Sequence, residues 1–201
     1  MNDTKERLLD VSAALFQRQG LAGTGIKQIL SEAHAPFSSL YHHFPGGKDQ
    51  LAAEAIRRSG RMYGLLVPAV FDPAPDLVTG VRNFFDGAGQ HLMDTDYADA
   101  CPIATVALEV SSTNEPLRQA CETVFEEWIT LGAERFIGAG IGAETARQLA
   151  ITLIGSLEGA FVLARALRTV QPLQVARDVV ANTVAAALAT ATETKEGHAP
   201  R

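Results

Sequence analysis

Cysteine is scarce in this chain. Cys101 and Cys121 are the only two in 201 residues, too few for a disulfide scaffold and without the close pairing of a zinc site. The N-terminus has no apolar core of the kind a signal peptide carries, so a reduced, cytoplasmic protein is expected. No apolar stretch reaches the roughly 18 to 20 residues of a membrane span before Gly, Arg, Glu or Asp breaks it, and no membrane partner is expected. The five histidines include no i, i+4 pair, so neither a metal nor another cofactor is implied. No nucleophile, base and orienting group stand in a recognisable motif, which argues against an enzyme. Strand-like alternation and internal repeats are also missing.

What is present is a chain of nearly half hydrophobic residues with helical spacing, enough for one or two helical cores. Charge is divided unevenly. Residues 1–60 hold seven Lys or Arg against six Asp or Glu, a net +1, whereas the remainder holds ten against seventeen, a net −7. The overall −6 therefore says little about the first segment, whose local charge decides whether it can meet nucleic acid.

The first helix is expected to start near Asp3, with Glu6 closing a capping box and Leu8, Val11, Leu15 and Phe16 on one face. It stops near Gly20. Thr24 is placed to cap a second helix carrying Ile26, Ile29 and Leu30, which ends at a turn around His34-Ala35-Pro36. A short third helix spans roughly Phe37 to His43. Pro45-Gly46-Gly47 stops it, and a fourth begins at Lys48 or Asp49 and ends before Pro68.

This arrangement is a helix-turn-helix. Leu40 and Phe44, four apart, would pin the third helix inward, while Ser38, Ser39, Tyr41 and His42 face out, small or polar enough for a major groove. Lys48 and the N–H groups at the start of the fourth helix suit a phosphate, and Lys27 and Thr24 could grip the opposite strand. Taken alone, Tyr41, His42 and His43 could equally be an aromatic patch inside a small bundle.

The rest of the chain, residues 61–201, reads as further helices. One is expected from Asp76 to Met93, one from Pro102 through Leu108, one opening at Asn114-Glu115-Pro116, and two long ones at about 144–169 and 172–190. The tail from Glu193 is expected to fray. The helix at 144–169 is apolar all round, as expected of one buried on two sides. Gly155 and Gly159 leave a shallow groove on it. Together with Leu153, Val162, Val180 and Val184 they form the expected homodimer interface.

An effector pocket needs mixed aromatic and aliphatic walls with a few polar groups. Met62, Leu66, Phe84, His91, Met93 and Tyr97 are candidates from the first half of this region. Ile103, Leu108, Phe125, Trp128 and Phe161 are candidates from the second, with Trp128 suited to stack on a flat ring. Glu109 and Asn114 add polar character. Each of these residues also has a plain packing explanation.

Thr24-x-Ile26-x-x-Ile29, the turn, and then Leu40-Tyr41-His42-His43-Phe44-x-x-x-Lys48-Asp49-x-Leu51 resemble the N-terminal domain of the TetR family of transcriptional repressors over roughly residues 4 to 60. The resemblance implies an all-α protein, with a three-helix DNA-binding domain over residues 1–60 and a ligand-binding, dimerising helical domain over 61–201. It implies operator contacts from Thr24, Lys27, Ser38, Ser39, Tyr41, His42 and Lys48, mostly to phosphates. The expected partners are double-stranded operator DNA, a small apolar or planar effector and a second copy of the chain.

Three positions depart from the family pattern. His34 stands where Gly is usual, Pro36 where a helix-opening Ser is usual, and Phe37 where Lys is frequent. Phe37 loses a phosphate contact but gains a group able to touch a thymine methyl. Ala35-Pro36, Pro45-Gly46-Gly47-Lys48 and Cys101-Pro102-Ile103-Ala104 resemble the branch responding to lincomycin-like drugs and flavonoids. The alternative is a helical small-molecule-binding or processing protein whose head contacts another protein instead of DNA.

Overall fold

The computed structural model describes residues 4–197, with side chains described through residue 193. Ten helices lie within those residues: α1 (Thr4–Gln19), α2 (Ile26–Glu32), α3 (Phe37–His43), α4 (Gly47–Gly64) and α5 (Leu66–Phe71), then α6 (Leu77–Asp94), α7 (Pro102–Val110), α8 (Glu115–Gly138), α9 (Ala143–Leu167) and α10 (Gln171–Gly197). The expected all-α architecture is what forms. The chain divides into two compact units, one running to Tyr63 and taking in Asp99–Glu126, the other made of Gly64–Ala98 and the chain from Glu127 onward.

In the first unit the helical period sorts most residues as expected, with Val11 and Ile26 only partly buried. α1 buries Leu8, Leu9, Leu15 and Phe16, and α2 buries Ile29 and Leu30. α4 turns Leu51, Ala52, Ala55 and Ile56 into the same interior. The capping residue expected at Asp3 lies outside the described residues, while Glu6 pairs with Arg58. The unit extends beyond residue 60 because α7 and the first half of α8 contribute Ile103, Val106, Val110, Leu117, Cys121 and Val124 to its core. At Gly60 a Cβ would fall 2.5 Å from the Val124 methyls, so the absent side chain lets α4 and α8 close on each other.

Pro68 does not end the fourth helix. α4 stops at Gly64, and Pro68 sits in the first turn of α5, where its missing N–H has no intrahelical partner to lose. α6 is capped by Asp76, which accepts from the Thr79 amide at 2.8 Å, and α7 opens with Pro102 at its first position.

The second unit packs α6, α9 and α10 around Val81, Phe85, Leu92, Leu149, Leu153, Leu173, Val180 and Val184, with Phe136 of α8. Arg177 bridges Asp86 and Asp178 at 2.8 and 2.9 Å, tying α10 to α6 at the rim. α9, at 25 residues, is long and apolar enough by composition to cross a bilayer, although Arg147, Glu158 and Arg165 interrupt its apolar sequence as expected. Ala146, Leu149, Ala150, Leu153, Ala160 and Ala164 give it a continuous buried face against this core. α10 continues to Gly197, so residues 193–197 are helical rather than frayed, and the rest of the expected tail lies outside the described residues.

Candidate nucleic-acid interface

The turn between α2 and α3 is a Schellman closure. The His34 amide donates to the Ser31 carbonyl at 3.2 Å and the Ala35 amide to the Leu30 carbonyl at 2.9 Å, with His34 left-handed at φ 49°. Histidine at this position bears a Cβ that glycine would not, and its side chain is exposed. His34→Gly is therefore expected to stabilise the chain by about 0.5–1 kcal/mol, visible as a higher melting temperature.

Pro36 is the N-cap of α3 rather than a residue of its first turn. Its extended backbone (φ −67°, ψ 153°) aims the chain into the helix with no side-chain cap. Leu40 and Phe44, the residue that follows α3, are completely buried and hold α3 to the head. Their burial leaves Phe37, Ser38, Tyr41 and His42 exposed on the other side, with Ser39 at the margin. The Phe37 and Tyr41 ring centroids are 5.7 Å apart and tilted by 55°. Lys27 of α2 is exposed as well.

Two of the expected phosphate ligands are otherwise engaged. Thr24 is fully buried, and its hydroxyl donates to the Gly20 carbonyl at 2.6 Å, so it neither caps α2 nor faces solvent. A threonine before a helix signals a cap, but here the N-cap position falls one residue later, at Gly25, and the Thr24 hydroxyl turns inward. Lys48 reaches back to the turn before α2, where its Nζ donates to the Leu21 carbonyl at 2.6 Å. Two ammonium hydrogens remain for another acceptor.

That turn has a second anchor. The Glu109 carboxylate of α7 accepts from the Leu21 and Ala22 amides at 3.1 and 2.6 Å. Asn114 donates to Asp49 at 2.8 Å and accepts from the Leu117 amide at 3.2 Å, and Arg18 donates to Asp99 at 2.8 Å. Glu109 and Asn114, expected among the polar groups of a pocket, thus support the head. Nothing at positions 21–22 or 109 forms a local pattern, and contacts separated by 87 and 88 residues leave no trace in sequence spacing.

The pocket candidates separate by exposure. Ile103 is fully buried, Met62, Leu66, His91, Met93 and Leu108 are exposed, and Phe84, Tyr97, Phe125, Trp128 and Phe161 lie between. Phe84, Tyr97 and Phe161 share the margin of the second unit's core. Tyr97 is covered by the Arg168 guanidinium, 5.2 Å from its ring, in a loop that Arg165 and Arg168 hold by the carbonyls of residues 96–98. The two cysteines serve structure. Cys101 Sγ accepts from the Ala104 amide at 3.4 Å as the α7 cap, and burial pushes the Cys121 thiol up to about 11, which keeps it protonated.

The expected homodimer interface needs correction. Leu153, Val180 and Val184 point into the core of their own unit, because α9 and α10 pack on α6 through those faces. Gly155, Gly159 and Val162 are exposed, and nothing lies within 4 Å of a Cβ built on either glycine.

A buried pin, an outward helix face and a tight turn between two short helices define a helix-turn-helix, the unit that DNA-binding transcriptional regulators present to a major groove. Residues 8–55 match the family model for bacterial regulatory proteins of the tetR family, and residues 78–179 match the model for the C-terminal domain of LmrA/YxaF-like transcriptional regulators. The chain is 32% identical over 171 residues to the HTH-type transcriptional regulator LmrA of Bacillus subtilis, covering 85% of this chain and 91% of that one. It is 34% identical over 193 residues to an HTH-type transcriptional regulator of Mycobacterium tuberculosis, covering 94% and 97%. A TetR transcriptional regulator from Chloroflexus aurantiacus superposes with a TM-score of 0.70 at 30% identity, over 90% of this chain and 94% of that one. The chain belongs to the TetR family.

Proposed function

We propose that this regulator is a cytoplasmic repressor, bound to its operator as a homodimer and released by a small apolar or planar effector. The observation that carries the DNA-binding part is the division of α3: Leu40 and Phe44 buried, and Phe37, Ser38, Tyr41 and His42 turned outward. Family members typically bind operator DNA as homodimers and respond to small molecules. Two heads would enter successive major grooves about 34 Å apart.

Exposed apolar residues on α9 and α10 support a partner on that side. Val162, Leu163 and Leu167 on α9 and Val175 and Val179 on α10 are all more than half exposed. The open glycines at 155 and 159 would let a second helix approach closely. A flat or polycyclic effector is the class to which the resemblance of Ala35-Pro36, Pro45-Gly46-Gly47-Lys48 and Cys101-Pro102-Ile103-Ala104 points. Such a ligand must prefer the conformation that does not fit DNA, since equal affinity for both would shift nothing.

The test is fluorescence anisotropy of the purified protein on DNA from its own upstream region across a salt series, with and without planar apolar compounds. Affinity should fall linearly on logarithmic axes as salt rises, because each phosphate contact releases counterions. Lys27→Ala should weaken binding on all sequences and, with one Lys27 in each head, reduce the magnitude of the slope for the dimer by about 2. Salt-independent binding, or a slope that Lys27→Ala leaves unchanged, would defeat this reading.

A further inference from the structure

We propose that Phe37 reads the 5-methyl group of a thymine in each operator half-site, with Tyr41 holding its ring in place. The inference rests on α3 being the helix that enters the major groove, and it names what that helix recognises there. The first support is what α3 lacks. Phe37-Ser38-Ser39-Leu40-Tyr41-His42-His43 contains no Arg, Lys, Asn or Gln, the side chains that make bidentate bonds to guanine or adenine edges, and no Asp or Glu to accept from cytosine. Ser and His offer single hydrogen bonds. Sequence discrimination by this helix therefore falls heavily on shape and apolar contact.

The second support is the exposed aromatic pair. Phe37 is 60% exposed and Tyr41 49% exposed on a helix whose other side is completely buried at Leu40. Phe37 opens α3, at the end of a recognition helix that meets base edges. The residues lie four apart, so their rings meet on one face, with centroids 5.7 Å apart and planes tilted by 55°. Tyr41 lies beside the α4 start, its Cε1 3.7 Å from the point a Cβ would occupy at Gly47. The pair is thus a braced apolar projection from the head. Thymine's methyl is the apolar group on a major-groove base edge, so it is the complement such a projection fits.

The experiment uses the full-length protein and its operator, taken from the upstream region or from random-sequence selection. Each thymine of the half-sites is replaced singly by deoxyuridine, which removes the methyl and leaves base pairing intact. Wild-type protein should bind about three- to tenfold more weakly at one such position per half-site, the range expected for one buried methyl. In Phe37→Ala the thymine-to-uracil ratio at that position should collapse to about 1, and Phe37→Leu should restore part of it. Because Phe37 is mostly exposed, an unchanged melting temperature and helical circular dichroism should accompany the variant. Salt-dependent, specific binding that ignores every thymine-to-uracil change would overturn this inference and leave the regulator reading intact. Wild-type discrimination retained by Phe37→Ala would overturn it in the same way. Absence of any specific DNA binding would overturn both.

Discussion

Phe44→Ala should cost the first unit about 3–5 kcal/mol and remove operator binding at ordinary temperatures. The residue closes α3, its amide donating to the Leu40 carbonyl at 2.7 Å, and its ring is completely buried. The Lys5 ammonium lies 5.4 Å from that ring and the His43 ring 6.3 Å away. Truncation leaves a cavity beneath the short helix that must be held still against DNA. A seven-residue helix has too few internal hydrogen bonds to persist without this packing. The check is chemical denaturation read beside anisotropy on the operator. Phe44→Leu should lose much less stability and retain binding, which separates the loss of packing from any direct role of the ring on DNA.

Gly20→Ala is expected to damage the head in two ways. Gly20 is left-handed at φ 76°, and an alanine held there costs about 1–2 kcal/mol from the backbone alone. The added Cβ would also fall 1.9 Å from Glu109 Oε1, so the carboxylate must leave the Leu21 and Ala22 amides it accepts from. The same turn carries the Leu21 carbonyl that holds Lys48. The melting temperature should fall, and operator affinity should weaken beyond what the lost stability explains. Combining Gly20→Ala with Glu109→Ala should be less than additive, because the second change removes the obstacle the first one meets. Full additivity would mean that the carboxylate and the glycine are not coupled.

The α3 limits and its inward pair are legible in the sequence because they depend on local features: an i, i+4 apolar spacing, a proline before the helix, and a proline and two glycines after it. The helix's outward residues follow from the same periodicity. Thr24 misleads for an equally local reason, since a hydroxyl preceding a helix has two acceptable partners, and with Gly25 as the N-cap it takes the Gly20 carbonyl. Among the interface residues, periodicity places Leu153, Val180 and Val184 on apolar faces correctly. It cannot say whether those faces meet their own chain or a second copy.

The sequence by itself determined an all-helical chain, a helix-turn-helix near its start, and the residues that turn outward on α3, because these follow from nearest-neighbour sterics and the 3.6-residue period. Tertiary structure decided that α7 and the first half of α8 pack with the head and that Glu109 and Lys48 fasten the turn at residues 21–22. It also decided which side of α9 is core. These depend on contacts between residues distant in the chain, and a helix apolar around its whole circumference carries no mark of which neighbour each face will meet.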